Sequence, residues 1–569
     1  MSTPRVSLME QIFGKPFEDK PTDGIYGILQ TKNYEQFQIL DDFGTPVHTF
    51  EGAKLANKCL PGDHIHWKDN KCYLELRDAH PPIVGTIELT SKTKYGLTSR
   101  GIPIYLFVPY NKSYPPFIVG CSEKDVSCNK IGLAKFDDWV ASSTFPRGQL
   151  QQILGNSGDF EAEKQALIWQ ASPWRHTRPK GDLKATPEPI EDMPREELKG
   201  FTFNIDPAGC LDVDDVFTFE DLGEGRWRVT VTISDVAAFV ENGSEVDIMA
   251  SLIGQTLYDD KGLVLRPMLP PEYSEGACSL TPGKKLFGMS LQFIWNGSEI
   301  SEKRWFESVF ENSRSYTYYE FAASDSPFKA PLAAVASYLA KEEITNPHKW
   351  VEHMMLFYNT EAGKCLKAAG VGILRRHSAP NLERLEKYRA HVPDLEMLAF
   401  SAAQYCLAEE EDTRHFGLES DTYAHVSSPI RRYADLLNQR SLKPIIRGES
   451  DKYIIPISMV DMNTREKLVR AFARDLCFLT AISSGRTTSS GIIIDAEPFG
   501  THENIKIRIY VPEWKRIITT KYRRLTETLV LSRDERRHID ISLFRQVEIS
   551  FATNTNARNW KDRIIINIA

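Results

Sequence analysis

The sequence predicts a multidomain α+β protein, with a mixed central domain flanked by small β-barrels of the OB type, two before it and one after. Three observations predict it. Residues 23–169 and 488–569 are short apolar-alternating runs broken by turn signals. Residues 201–484 open with strands and then turn to helical periodicity. A Pro- and charge-rich stretch at 170–199 separates the two textures.

Taken in order, residues 1–22 lack both an apolar signal core and an Arg-rich transit pattern and read as an exposed leader. "GIYGILQ", "FQILDDFGTPVHTF" and "GDHIHW" are strands joined by Asp-Phe-Gly-Thr-Pro and Leu-Pro-Gly-Asp turns, giving a first barrel over 23–80. "IVGTIELT", "YGLTSRGIPIYLFVP", "FIVGCS" and "KIGLAKFDDW" give a second over 81–169, and 170–199 is a linker. The central domain spans 200–487. Its strands are "FTFNID", "VFTFED" and "RWRVTVTISDVAAFV"; its helices are expected at "LAAVASYLAKEE", "WVEHMMLFYNTEAGKCLKAAG" and "EMLAFSAAQYCLAEEE". Short strands return in 488–569.

A chain of 569 residues is too long for one core. No run of about 18 uncharged apolar residues occurs, so no membrane partner is expected. Nine scattered cysteines without CxxC spacing argue against zinc sites and disulfides, and place the chain in a reducing cytoplasm. The net charge of −8 hides an asymmetry: residues 502–569 carry 14 Lys/Arg against 8 Asp/Glu. Lys521, Arg523 and Arg524 bracket Tyr522 there, a surface suited to attracting phosphates.

"NIDPAGCLDVDDVF" places Asp206, Asp212, Asp214 and Asp215 within ten positions between apolar runs. Asp212 and Asp214 share a face if the chain is extended, and Asp215 needs a bulge to join them. Bare carboxylates at that density raise one another's pKa values, and a divalent cation removes the penalty. Oxygen-only ligands suit Mg²⁺ or Mn²⁺. Val213, Val216 and Phe217 do not fit an EF-hand loop. A solvated acidic turn and a metal site for phosphoryl chemistry both stand on this stretch alone.

In "YAHVSSPIRRYADLLNQR", Ser428 has the grammar of an N-cap and Pro429 of the first helical position. Arg431 then sits in the first turn, against the helix dipole, where a bound phosphate would offset the cost and a pairing with Asp435 is the alternative. Glu352, Met355 and Asn359 share one helical face. Tyr258, Tyr316, Tyr318 and Tyr319 are packing residues or stacking platforms for bases. His425 and Ser427 lie close, but no G-x-S-x-G elbow accompanies them, which argues against a serine hydrolase.

"IDPAGCLDVDD", "PMLPPEYSEGACSL", "SRSYTYYE", "WVEHMMLFYN", "ILRRHSAP" and "YAHVSSPIRRYADLLNQR" together resemble the catalytic domain of the RNase II/RNase R exoribonucleases. The "DPAGCLDVDD" form is closest to the eukaryotic branch of the exosome's hydrolytic subunit, and "FPRGQLQQILGNSGD" at 145–159 resembles the end of that family's second cold-shock domain. The resemblance implies an RNB-type catalytic domain flanked by OB-fold barrels, two cold-shock-like before it and one S1-like after. It implies Mg²⁺-dependent (or Mn²⁺-dependent) 3′→5′ hydrolysis of single-stranded RNA to nucleoside 5′-monophosphates, by a cytoplasmic monomer.

Carried over by motif, Asp206, Asp212, Asp214 and Asp215 match the metal-binding aspartates, with Asp214 the one whose loss stops chemistry most selectively. Arg431 matches the arginine at the scissile phosphate, and Arg432 is its RNA-binding neighbour. Tyr258 resembles the aromatic that stacks on the 3′-terminal base, Tyr319 the one beside the cut, and Glu352 a contact to the terminal nucleotide. The sequence departs from the family between Tyr319 and Glu352, which is short and lacks a Gly-containing hairpin. It departs also at Gln439, where His is usual, and at Val426-Ser427, where Phe-Thr is usual. No nuclease domain precedes the cold-shock pair, so a free-standing enzyme is expected. Two rival classes stand beside it: an RNA-binding pseudonuclease, and a DxD transferase, for which no sugar-nucleotide signature is present.

Overall fold

The computed structural model describes residues 24–41, 44–77, 80–176, 187–190, 193–485 and 487–568. The expected leader lies outside them, as do parts of the expected linker and of the Asp-Phe-Gly-Thr-Pro turn. In the first β-domain the strands Ile25–Thr31, Gln36–Leu40, Pro46–Glu51, His64–Lys68 and Lys71–Leu76 pair in the spatial order third, second, first, fourth, fifth. Leu29, Phe37, Ile39, Ile65 and Trp67 alternate into its core. The second β-domain is a closed barrel, completed by a parallel pairing of Arg147 and Gly148 with Ile118 and Val119.

The central sheet has seven strands, in the order Glu196–Glu197, Ile300–Glu311, Lys285–Trp295, Trp227–Ser234, Asp215–Asp221, Phe201–Asp206 and Arg314–Thr317. Phe203, Phe217, Phe219 and Leu291 pack with Leu332 and Val335 of the helix Lys329–Ala340 and with Trp350, Met354 and Tyr358 of the helix Pro347–Ala369. Tyr358 is fully buried, and its hydroxyl donates to the Met289 carbonyl at 2.9 Å. The helix Tyr433–Arg447 packs with Val236, Ala238 and Met268. Beside it, Lys443 and Arg195 converge on buried Asp235 and Glu307.

Several expectations are corrected. The expected linker ends as a strand of the central sheet, Glu196–Glu197 pairing with Ser308 and Val309, and His176 contacts the Met268 carbonyl. "EMLAFSAAQYCLAEEE" is not a helix: Pro393–Ala399 is a 3₁₀ turn, and Gln404–Leu407 is a strand paired with Ile373–Arg376. Tertiary pairing overrides the periodicity, because Cys406 and Leu374 are neighbours buried on the central core. The text after Asn156, read as barrel, is instead a helix, Phe160–Ala171, capped by Asp159 accepting from Ala162 N.

The C-terminal domain, expected as a barrel, is a seven-stranded sheet whose core is continuous with that helix. Leu167 and Trp169 share one cluster with Phe472, Leu476 and Phe478 of the helix Met459–Ser483 and with Ile507, Trp514 and Trp560 of the C-terminal domain. Tyr522 belongs to this core, and its hydroxyl oxygen accepts from Ile568 N at 2.7 Å, so the exposed aromatic of the basic face is Phe499, with Lys521 3.7 Å above its ring. Buried Arg563 closes the junction: it ion-pairs with Glu163 and donates to Tyr110 Oη at 2.6 Å and Thr86 Oγ1 at 2.6 Å.

Removing one partner of a buried pair strands the other charge, so Arg563→Ala should cost about 3–5 kcal/mol of unfolding free energy. Glu163→Gln/Arg563→Met should recover much of that loss in denaturant melts, since neither charge is then left unpaired. A double variant no more stable than Arg563→Ala would remove the ion pair from the junction's energetics.

Candidate active site

The aspartates sit where two neighbouring strands end. Asp206 closes the strand Phe201–Asp206, Asp215 opens its antiparallel partner, and residues 207–214 form the loop between. Asp212 and Asp214 are therefore loop residues rather than one face of a strand. Their backbone is held from outside. Ser279 Oγ accepts from Val213 N at 3.1 Å and donates to the Leu211 carbonyl at 2.7 Å. Leu280 N donates to the Val213 carbonyl, and Ser234 N to that of Asp214.

Each of three carboxylates has its own donors. Asp206 Oδ2 accepts from Asn204 Nδ2 at 2.9 Å, and Asp212 Oδ2 from the Tyr258 hydroxyl at 2.7 Å. Asp214 accepts from Ile430 N at 3.1 Å and from Arg431 Nε at 3.2 Å. The fourth, Asp215, has a buried Oδ2 with no hydrogen-bond partner. Burial raises Asp206, with the charge of Asp212 adding to it. Burial also raises Asp214 to about 7, against the opposing pull of Arg431 and the Ile430 amide. Asp215 is pushed well above the usual carboxylate range, by burial first and then by Asp206.

These carboxylates floor a cavity of about 860 Å³, whose walls include Tyr258, Lys261, Leu263, Tyr318, His348, Glu352, Met355, Tyr423, Arg431 and Arg432. Glu352 and Met355 reach it from one face of the helix Pro347–Ala369, as their spacing predicts. Asn359, on the same face, is structural: its Oδ1 accepts from Val426 N and Ser427 N at 3.0 and 3.1 Å. Gly363 lets the two segments approach, since a Cβ there would stand 3.1 Å from Tyr423 N. Gln439 is likewise absorbed into the fold, donating to the Ser234 carbonyl at 2.6 Å.

The arginine segment differs from expectation. The helix starts at Tyr433, not after Ser428, and Arg432 is its N-cap residue without a side-chain cap. The cause is a strand-like seam: Thr256 N donates to the Arg431 carbonyl and Tyr433 N to that of Gly254. Arg432, at the centre of that pairing, is accordingly extended rather than helical. Pro429 instead takes the second position of a turn in which Arg431 N donates to the Ser428 carbonyl. Arg431, whose side chain is 41% exposed, pairs with Asp214, whereas Arg432 pairs with fully buried Asp435 at 2.9 Å.

Tyr319 is 82% exposed and does not line the cavity; its neighbour Tyr318 does. Tyr316 is a packing residue against Phe203 and Phe321. Asn204, Cys210 and His348 were not singled out by the sequence reading. Asn204 had a signal, since the two-residue period of a strand sets it on the face of Asp206.

Oxygen donors and the unpartnered Asp215 Oδ2 suit a hard cation at Asp206 and Asp215. Among the described residues no three His, Cys, Asp or Glu side chains form a ready-made ligand shell. Two carboxylates completed by water and phosphate oxygens is a normal arrangement for Mg²⁺.

A carboxylate-floored sheet end between OB-type domains defines an RNB-domain architecture. The RNB domain model matches residues 195–326 and 326–448, and the Dis3-like cold-shock domain 2 model matches residues 104–172. The chain belongs to the RNase II/RNase R family, on its exosome-type branch. It is 25% identical over 485 residues to the exosome complex exonuclease RRP44 of Mus musculus, covering 68% of this chain and 50% of that one. The chain thus spans about half the length of this curated relative. In fold it is similar to Mycoplasma genitalium RNase R in complex with ribose-methylated single-stranded RNA, at TM-score 0.70 and 17% identity over 96% of this chain and 100% of the other. It is similar also to yeast Ssd1, a pseudonuclease, at TM-score 0.61 and 15% identity over 93% and 81% of the two chains.

The neighbouring arginines should separate in stability. Arg432→Ala strands buried Asp435 and should cost about 3–5 kcal/mol in denaturant unfolding. Arg431→Ala should cost about 1 kcal/mol or less, because its guanidinium is hydrated and Asp214 keeps the Ile430 amide. Equal losses in the two variants would contradict this division.

Proposed function

We propose that the protein is a 3′→5′ exoribonuclease that hydrolyses single-stranded RNA to nucleoside 5′-monophosphates, acting as a cytoplasmic monomer with Mg²⁺ or Mn²⁺. The observation that carries the reading is the cavity itself, with four aspartates on its floor and Arg431 on its wall. Its volume of about 860 Å³ accommodates a terminal nucleotide. Free thiols at all nine cysteines agree with a reducing compartment, and among the described residues no helix is long and apolar enough to cross a membrane.

Asp206 and Asp215 are the residues that would hold the cation. Bound there, it would supply Lewis-acid stabilisation of phosphate charge and lower the pKa of a water. Arg431 offers a guanidinium to the phosphate, and Asp214 fixes its direction through Nε. Tyr258 and Glu352 bound the space for the terminal nucleotide, and Arg432 supports the wall through Asp435. In the reaction water adds to phosphorus, the bond from phosphorus to the upstream 3′ oxygen breaks, and that oxygen takes a proton. The phosphate leaves on the 5′ carbon of the released nucleotide.

An RNA-binding protein without cleavage is the second reading. It is supported by the presence of a pseudonuclease, yeast Ssd1, among the proteins of similar fold.

With 5′-labelled single-stranded RNA and Mg²⁺, the label should stay on a ladder shortening from the 3′ end, with nucleoside 5′-monophosphates released. Asp214→Asn should lower the rate by at least about 10² while RNA affinity holds. Arg431→Lys keeps charge but loses the fork, so turnover should fall more than affinity. Tight RNA binding with no cleavage in either metal would establish the second reading instead.

A further inference from the structure

We infer that Asn204 is a positioning residue that aims Asp206, its own orientation set by Asn312 and Ser315. This rests on the reading of Asp206 as a cation ligand. Asn204 lies two residues before Asp206 on the same strand and is buried. Its Oδ1 accepts two hydrogen bonds, from Asn312 Nδ2 at 2.7 Å and Ser315 Oγ at 2.7 Å.

Those two donors decide which way the amide points. A flip would set an NH₂ against the Asn312 NH₂, and would turn a carbonyl oxygen toward Asp206 Oδ2, repelling it. With the amide held, Nδ2 faces Asp206 Oδ2 at 2.9 Å. Asn312 is itself anchored, donating to the Leu280 carbonyl at 2.7 Å and accepting from Arg314 N at 3.1 Å. Leu280 N in turn holds the Val213 carbonyl. One polar chain therefore runs from the aspartate loop through Leu280, Asn312 and Asn204 back to Asp206.

The consequence is division of labour within one carboxylate. Asn204 occupies a lone pair of Oδ2 and restrains the carboxylate plane, leaving Oδ1 outside this hydrogen bond on a residue that lines the cavity. Outer partners of this type commonly change metal affinity 10- to 100-fold when removed. Ser315 reaches Asp206 only through Asn204, so its contribution should vanish once Asn204 is gone.

The test is Mn²⁺ binding to the full chain without RNA, read as loss of the free-ion electron paramagnetic resonance signal. Asn204→Ala should weaken Mn²⁺ about 10-fold or more, Ser315→Ala by less. The double variant should match Asn204→Ala, and metal-free melting temperatures should confirm folding. Unchanged affinity in folded Asn204→Ala would overturn the inference, as would a further loss from adding Ser315→Ala to it. If Asn204→Ala does not fold, Ser315→Ala decides, and unchanged affinity there overturns the inference. Wild-type binding that Asp206→Asn abolishes and Asn204→Ala leaves intact would overturn the positioning role alone. A wild type that takes up no Mn²⁺ would overturn the cation reading with it.

Discussion

The crowding and burial of carboxylates at Asp206, Asp212, Asp214 and Asp215 is the constraint on which the rest of the central domain depends. Desolvation dominates the upward shifts of Asp206, Asp214 and Asp215, and the charges of neighbouring aspartates add to it. The fold answers by giving each a separate donor drawn from a different element. Asn204 comes from the same strand, Tyr258 from a short hairpin, and Ile430 and Arg431 from the turn before a helix. Asp215 lines the cavity and is left with an unsatisfied oxygen, a deficit that a cation bound there would remove.

Holding donors from so many elements in register requires that the domains not slide. The cluster joining the helices Phe160–Ala171 and Met459–Ser483 to the C-terminal domain packs the second and last β-domains together, and Leu257 brings the centre into it. Arg563 adds direction to that apolar contact, because a buried guanidinium tolerates only arrangements that satisfy it. The C-terminal domain is thus more than an appended basic module. Its positive face, with Lys521 over Phe499, is presented at an orientation set by the shared core. A capture role for that face and a structural role for the domain are not alternatives.

Much of this was legible in the sequence where local signals and tertiary contacts agree. The strands "FTFNID" and "VFTFED" alternate because one face packs on helices, and the Pro347–Ala369 helix carries its stripe for the same reason. Motif resemblance brought Asp206, Asp212, Asp214, Asp215, Tyr258, Glu352 and Arg431 to one cavity, as the structure has them. Legibility failed where a distant segment decides local conformation. Ser428-Pro429 has the grammar of a helix start, yet the bridge of Gln255 to Arg432 holds Arg432 extended and delays the helix to Tyr433. Tyr318 and Tyr319 cannot be told apart by composition. A helix begins at Tyr318 after the Thr317 cap, and the turn of that helix sends one ring to the cavity and the other to solvent.

The seam between residues 254–256 and 431–433 also separates the duties of adjacent arginines. Arg431 ends the turn that starts at Ser428 and reaches Asp214 at the cavity, while Arg432, extended where it bridges to Gln255, turns to Asp435 in the interior. The same seam continues into Leu257–Tyr258, whose hydroxyl holds Asp212. Two of the four carboxylates are thus gripped from a single backbone pairing, one by each of its strands. A shift in that pairing would move Tyr258 and Arg431 together, so the holds on Asp212 and Asp214 are mechanically coupled although the two residues share no direct hydrogen bond in the network described. Asp206 is held from its own strand by Asn204, away from that pairing, and meets Asp212 through the Cys210 side chain that touches both.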